Sequence, residues 1–199
     1  MKEQRSETVE KQRQRILNVA IGLIESEGLE AISARKIAAQ MSCAVGSLYR
    51  NFENIHAILL AVNLETLKAL ERHVQHAIQI NTGDAKENIR GMGLAYIDYV
   101  MAHSRLWQLV MHDFYADHHS SAEAYLSQHQ RMFHMIEIAF LNLNPSQSKQ
   151  AVSLEARTLW ASLDGLCNLA CRGKIERDGE EGVKVLADIL LQRFLGDKQ

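Results

Sequence analysis

Apolar residues recur along this chain at intervals of three and four, and no segment sustains the strict alternation of a half-buried strand. Ile16, Leu17, Ala20, Leu23 and Ile24 form the first stripe, closed by Gly28. Ser33 is a suitable cap for a short helix from Ala34 to about Met41. A break at Ser42 and Cys43 precedes a second short helix from about Val45 to Asn51. Asn54 opens a long fourth helix that reaches about Ile80, and Asn81 to Asp84 punctuates the chain. Further helices are expected at about 85–103, 105–116 and 121–142. Asn144-Pro145 has the form of a helix start and predicts a helix running to about Arg172. A last helix at about 180–195 ends at Gly196. The pattern predicts an all-α fold of nine helices, with a three-helix N-terminal module (1–52) and a larger bundle (53–199).

Composition agrees with this picture and narrows it. A single proline among 199 residues permits long helices. Apolar residues make up 47% and charged residues 23%, which excludes collagen-like and disordered classes. No apolar run approaches the roughly 20 residues that span a bilayer. The N-terminus is charged from residue 2, so a secretory leader is not expected and a cytoplasmic location is. The net charge of −2 argues against a wholly basic nucleic-acid binder. The first fifteen residues nevertheless carry five Lys/Arg against three Asp/Glu, a mild bias that permits nucleic acid at that end.

Two short helices around a tight turn have the form of a helix-turn-helix, whose second helix can enter a major groove. Residues 33–51, SARKIAAQMSCAVGSLYRN, fit that form. Ile37, Ala38 and Met41 give a core face, Ala38 and Gly46 are small enough for a close crossing, and Leu48 and Phe52 point inward. Arg35, Lys36, Val45, Ser47, Tyr49, Arg50 and Asn51 are left outward, with cations and hydroxyls for phosphates and amide and guanidinium groups for base edges. From periodicity alone an ordinary three-helix bundle explains the stripe equally well.

The stretch from Ile16 to Val62 resembles the DNA-binding domain of the TetR family. The resemblance rests on Glu27-Gly28, Ile37-Ala38, Gly46-Ser47-Leu48-Tyr49, Phe52 and the apolar helix that follows. It implies that Ser33 and Arg35 begin the helix touching the backbone and groove edge. It places Val45, Gly46 and Ser47 at the tip of the recognition helix, Tyr49 on a phosphate and Asn51 facing DNA nearby. The chain departs from the family pattern where Ser42 replaces the usual turn glycine and Ala44 the capping Ser or Thr. Val45 replaces a polar tip residue, and Ile55 stands where a lysine is often found.

The resemblance also implies an effector pocket among the middle helices, where aromatic and sulfur-containing side chains concentrate. Tyr96, Tyr99, Trp107, Met111, Phe114 and Phe133 are the lining candidates, suited to a hydrophobic or aromatic molecule, with Asp98, His103 and Asp164 as polar ones. Plain core packing is the alternative for each. On the last two helices, Leu159, Leu163 and Leu166 and then Val183, Leu186, Leu190 and Phe194 form stripes that suggest a partner copy. His112, Asp113, Asp117, His118 and His119 have ligand chemistry but lack metal-site spacing, and no metal or cofactor is expected. Cys167 and Cys171 lie one turn apart among apolar neighbours, which suits packing better than redox sensing. No nucleophile motif, phosphate-cradling glycine loop or catalytic carboxylate pair points to an enzyme.

The expected function is that of a TetR-like homodimeric regulator, a repressor in the first instance. It would bind a roughly palindromic duplex operator and be released by a small hydrophobic or aromatic ligand. The alternative is an all-α ligand-binding homodimer with weak or lost DNA binding, motivated by Ala44, Val45 and Ile55.

Overall fold

The computed structural model describes residues 2–80, 84–111, 119–175 and 179–196. In chain order the helices are α1 (Lys2–Glu27), α2 (Ala34–Gln40), α3 (Val45–Leu48), α4 (Ile55–Ile80), α5 (Ala85–Ala102), α6 (Ser104–Val110), α7 (His119–Leu143), α8 (Lys149–Cys171) and α9 (Gly179–Phe194). A 3-10 turn, Leu29–Ala31, joins α1 to α2. Among the described residues there is no strand, and the fold is all-α.

The chain divides into two compact units, residues 1–66 with 105–126, and residues 67–104 with 127–199. In the first, α1 packs on α2 and α2 on α3. Ile16, Ala20 and Ile24 of α1 meet Ile37, Leu48 and Phe52 in a core that also takes Leu106 and Leu109 of α6. Cys43, Val45 and Ile55 lie against the edge of this core. Asn63 is fully buried and donates from Nδ2 to the Leu109 carbonyl at 3.2 Å. In the second unit α5 is packed against α8 and α9, and α8 against α9. Gly93 lets Leu191 of α9 pack closely on α5, since a Cβ there would stand 2.8 Å from Leu191 Cδ2.

Local chemistry explains most boundaries. Ser33 Oγ accepts from the Lys36 amide and Asn54 Oδ1 from the Ala57 amide, so both expected caps form. The expected start at Asn144-Pro145 does not. The Asn144 carbonyl accepts from the Gln147 amide at 3.1 Å, which leaves Pro145 inside a turn. Ser148 caps α8 instead, its hydroxyl accepting from the Ala151 amide.

The stripes assigned to a partner copy also need correction. Leu159, Leu163 and Val183 are each at most 3% exposed within one chain, so they form the core of the second unit. The buried face of α9 runs through Val183, Ala187, Leu191 and Leu195, not through Leu186, Leu190 and Phe194. Leu166, Leu190 and Phe194 are half-buried, and the Phe194 ring stands edge-on to Phe140. The apolar surface left open on these helices is Leu154 and Leu169 on α8 and Val185, Leu186 and Ile189 on α9.

Candidate functional site

The candidate nucleic-acid surface is the turn between α2 and α3 with the residues that follow it. Its geometry begins with Ser42, whose φ of 53° is the left-handed conformation that favours glycine. The Ser42 amide donates to the Ala39 carbonyl at 3.0 Å and the Cys43 amide to that of Ala38 at 2.9 Å. These two bonds close the end of α2 in a Schellman turn and aim the chain into α3. Ala44 occupies the cap position of α3 and supplies no side-chain bond. The helix is accordingly a single turn, and Tyr49, Arg50 and Asn51 lie just beyond it.

Polar contacts hold the end of α3 in place. Asn51 Nδ2 donates to the Ser47 carbonyl at 3.1 Å, and an Arg50 guanidinium nitrogen donates to Ser47 Oγ at 3.0 Å. From α1, Arg13 donates to the Asn51 carbonyl at 3.0 Å and lies 4.0 Å above the Phe52 ring. Arg13 was not singled out by the sequence pattern; its place in the charged stretch before the first apolar stripe was the available signal. Tyr49 is 45% exposed, and Arg35 and Arg50 are also open. Lys36 is held in an ion pair by Glu27. Val45 is half-buried against the core edge. Gly46, expected to permit a close helix crossing, instead faces open space.

The second unit contains a chamber bordered by Val74 of α4, Met92 and Tyr96 of α5, Met132 of α7 and Trp160 and Leu163 of α8. Its volume is about 30 Å³, the scale of one water molecule. Met92 and Met135 also border a neighbouring cavity of about 400 Å³, rimmed by Glu71, Asn88 and Arg131, which falls in the size range of small-ligand sites. Asn88 Oδ1 is buried without a hydrogen-bond partner. Gln128 is buried and donates to Glu71 Oε2 at 2.7 Å.

Of the lining candidates, Tyr96 borders the small chamber. Phe133 stands beside it, 5.5 Å from the Trp160 ring, and Asp164 accepts from the Tyr96 hydroxyl at 2.8 Å. Tyr99 stacks between His73 and His103 and borders neither cavity. Trp107 and Met111 belong to the first unit. Asp98 is paired with Lys184 at 2.9 Å. Phe114 and the region from His112 to His118 lie outside the described residues. Trp160 was missed because it falls between the apolar positions of its own helix.

Electrostatics in this region follow burial. Desolvation raises the Tyr96 hydroxyl well above its usual range, reinforced by the Asp164 charge. Burial lowers the His129 imidazole and leaves it neutral at pH 7, against a smaller opposing pull from Asp164. Burial also pushes up the Cys167 and Cys171 thiols, which keeps them protonated and poorly reactive.

The model of the bacterial regulatory proteins of the tetR family matches residues 16–62, and that of the tetracyclin repressor-like C-terminal domain matches residues 89–194. The chain belongs to the TetR family. Solved structures agree at the level of fold. A putative TetR-family transcriptional regulator from Mesorhizobium loti is 18% identical, with 94% of this chain and 96% of that one covered at a TM-score of 0.73. The TetR-family regulator PfmR of Thermus thermophilus is 20% identical, covering 89% and 97% at 0.68. A protein of unknown function from Rhodococcus sp. RHA1 is 17% identical, covering 91% and 93% at 0.74. No curated protein matches the chain. Among the described residues of this TetR-family protein, no helix is long and apolar enough to cross a membrane.

Proposed function

We propose that this TetR-family chain is a homodimeric transcriptional repressor that binds a roughly palindromic operator and is released by a small hydrophobic ligand. The observation that carries the reading is the open surface around α3. Tyr49, Arg35 and Arg50 are exposed beside Gly46, where no side chain obstructs the approach of a duplex. Tyr49 and Ser33 supply hydroxyls for phosphates, and Arg35, Arg50 and Asn51 supply donors for phosphates or base edges. Lys36 and Ser47 complete the surface once DNA competes for their present partners, and Val45 offers a methyl contact for thymine.

The effector reading places a ligand at the paired cavities of the second unit, the larger serving as the mouth of the smaller. Methionine side chains are flexible, so Met92 and Met135 can swing aside as an apolar group enters. The ligand favours a dimer whose reading heads are wrongly spaced for the operator, and each tenfold loss of DNA affinity requires about 1.4 kcal/mol of differential binding. The partner copy covers Leu186 and Ile189 with the half-buried Leu166, Leu190 and Phe194, since isolated apolar stripes favour a two-fold contact. A cytoplasmic location and the absence of catalysis accompany this role.

A second reading, a ligand-binding dimer that no longer retains DNA, draws support from the uncapped α3 and the paired Lys36. Titration of the intact protein against selected and scrambled duplexes at two salt concentrations separates the two. The repressor shows one preferred duplex and steep salt dependence. Ligand binding without any duplex preference favours the second reading.

A further inference from the structure

We propose that Arg13 is the positioning residue of the reading surface. It sets the orientation of the segment Tyr49 to Asn51, and through it the choice between duplexes, without touching DNA itself. The proposal rests on the reading of the α3 surface as the DNA contact and names the residue of α1 on which its sequence preference depends.

Little within α3 holds it in place. It is four residues long, and Ala44 supplies no side-chain cap. A helix of that length does not persist alone in water. Its exit carries the exposed Tyr49 and Arg50 between two core residues, Leu48 and Phe52. Apolar packing fixes how deep those two sit, but it is non-directional. Orientation comes from hydrogen bonds, which weaken steeply as they bend. The Asn51 amide donates to the Leu48 carbonyl at 2.9 Å, and Asn51 Nδ2 donates to the Ser47 carbonyl at 3.1 Å. Both bonds stay within the segment, so they shape it without aiming it. The Asn51 carbonyl accepts from Arg13 Nη1 at 3.0 Å. Of these three bonds, that one comes from another helix, 38 residues away along the chain.

The place of Arg13 on its own helix points the same way. It precedes the buried Ile16 by three residues and Leu17 by four, so it continues the core-facing stripe of α1. An apolar side chain is the ordinary occupant of such a position. The Arg13 Cζ lies 4.0 Å from the centroid of the Phe52 ring, a face that methionine or leucine would also cover. What the guanidinium adds is a set of donors fixed in a plane, so contact with the ring and the bond to the carbonyl are made together. Held on both, Arg13 is half-buried, whereas Arg35 and Arg50 are exposed and open to a duplex. Its loss leaves the core of the unit in place and frees the aim of the segment that reads.

The intact protein, Arg13→Lys and Arg13→Met are titrated with the duplex that the intact protein selects from a random pool and with a scrambled duplex. Each titration is run at two salt concentrations, and circular dichroism verifies the helical fold. Arg13→Lys keeps the charge and therefore the salt slope. An ammonium does not serve ring and carbonyl together, so preference for the selected duplex is expected to fall roughly threefold or more. Arg13→Met keeps an apolar cover for Phe52, and the preference is expected to fall roughly tenfold, the worth of one charge-assisted hydrogen bond. Both losses are expected on the selected duplex, with the scrambled one weakened little. An unchanged preference in Arg13→Lys overturns the proposal. So does equal weakening of both duplexes by Arg13→Met with a salt slope smaller by about 1, the mark of a phosphate contact. Either result leaves the DNA reading intact and defeats only the role of Arg13. Selection of no duplex by the unmodified protein defeats that reading and this proposal with it. Arg13→Lys decides by itself should Arg13→Met not fold.

Discussion

Replacing Ser42 by glycine is expected to stabilise the helix-turn-helix, and replacing it by valine to destabilise it. Ser42 is exposed and its side chain makes no hydrogen bond, so both effects act through the backbone. Holding an L-residue in the left-handed region costs about 1–2 kcal/mol. Glycine escapes that cost but loses about 0.5–1 kcal/mol through its freer unfolded chain. The net effect of Ser42→Gly is therefore a gain of about 0–1.5 kcal/mol, or a rise in Tm of up to roughly 6 °C for a chain of this size. A β-branched residue is a stronger outlier there, and Ser42→Val is expected to lose more than about 1 kcal/mol. The protein contains its own control. The end of α8 closes in the same way, with amide bonds from Gly173 to Ala170 and from Lys174 to Leu169, both at 2.9 Å, and Gly173 has a φ of 64°. Gly173→Ser is expected to lose about what Ser42→Gly gains. Thermal denaturation by circular dichroism, with hydrogen exchange at the Cys43 amide, measures each change. A neutral or destabilising Ser42→Gly, together with a tolerated Ser42→Val, would refute the left-handed turn.

Gly46→Ala should preserve or improve folding, because alanine is the better helix former by about 1 kcal/mol and its Cβ meets open space. It should nevertheless weaken duplex binding if DNA approaches this surface, which a mobility-shift titration reads. Ile189→Glu should give folded monomers, since Ile189 is 40% exposed in one chain. Leu163→Glu should unfold the second unit by burying an unpaired charge, and sedimentation with circular dichroism separates the two outcomes. Tyr49→Phe should cost about 0.5–1.5 kcal/mol equally for all duplexes. Arg35→Ala should cost about 1–3 kcal/mol with relaxed preference at one position if it reads a base, or reduce the salt slope by about 1 if it holds phosphate. Wild-type-like titrations by both variants would remove them from the interface.

Where information is local, the sequence foretold the structure closely. Ser33 and Asn54 cap helices because their hydroxyl and amide oxygens reach amides three residues on. The Asn144-Pro145 expectation failed because proline serves the second position of a turn as readily as the first position of a helix. Ser148, three residues later, supplied the better cap. Stripes on α8 and α9 showed that these helices bury a face, but a stripe does not name its cover. Leu159, Leu163 and Val183 turned out to lie in the core of their own unit, and the buried face of α9 lies one position from the expected one. The chamber was legible only in part for the same reason. Tyr96 and Asp164 were read from their residue types, whereas Trp160 and the two shared methionines depend on how α5, α7 and α8 meet. Arg13 above Phe52 joins residues far apart in the chain, a contact that spacing along one helix does not reveal.

The central claim is that the surface around α3 reads duplex DNA. Its most direct test is selection of duplexes by the intact protein from a random pool, followed by titration of the recovered sequence at two salt concentrations. The account predicts one inverted repeat with half-sites about one helical turn, or a multiple of it, apart. It also predicts affinity that falls steeply with salt and is reduced by Arg35→Ala and Tyr49→Phe. Recovery of sequences without two-fold symmetry, or retention no better than for the unselected pool, would contradict it.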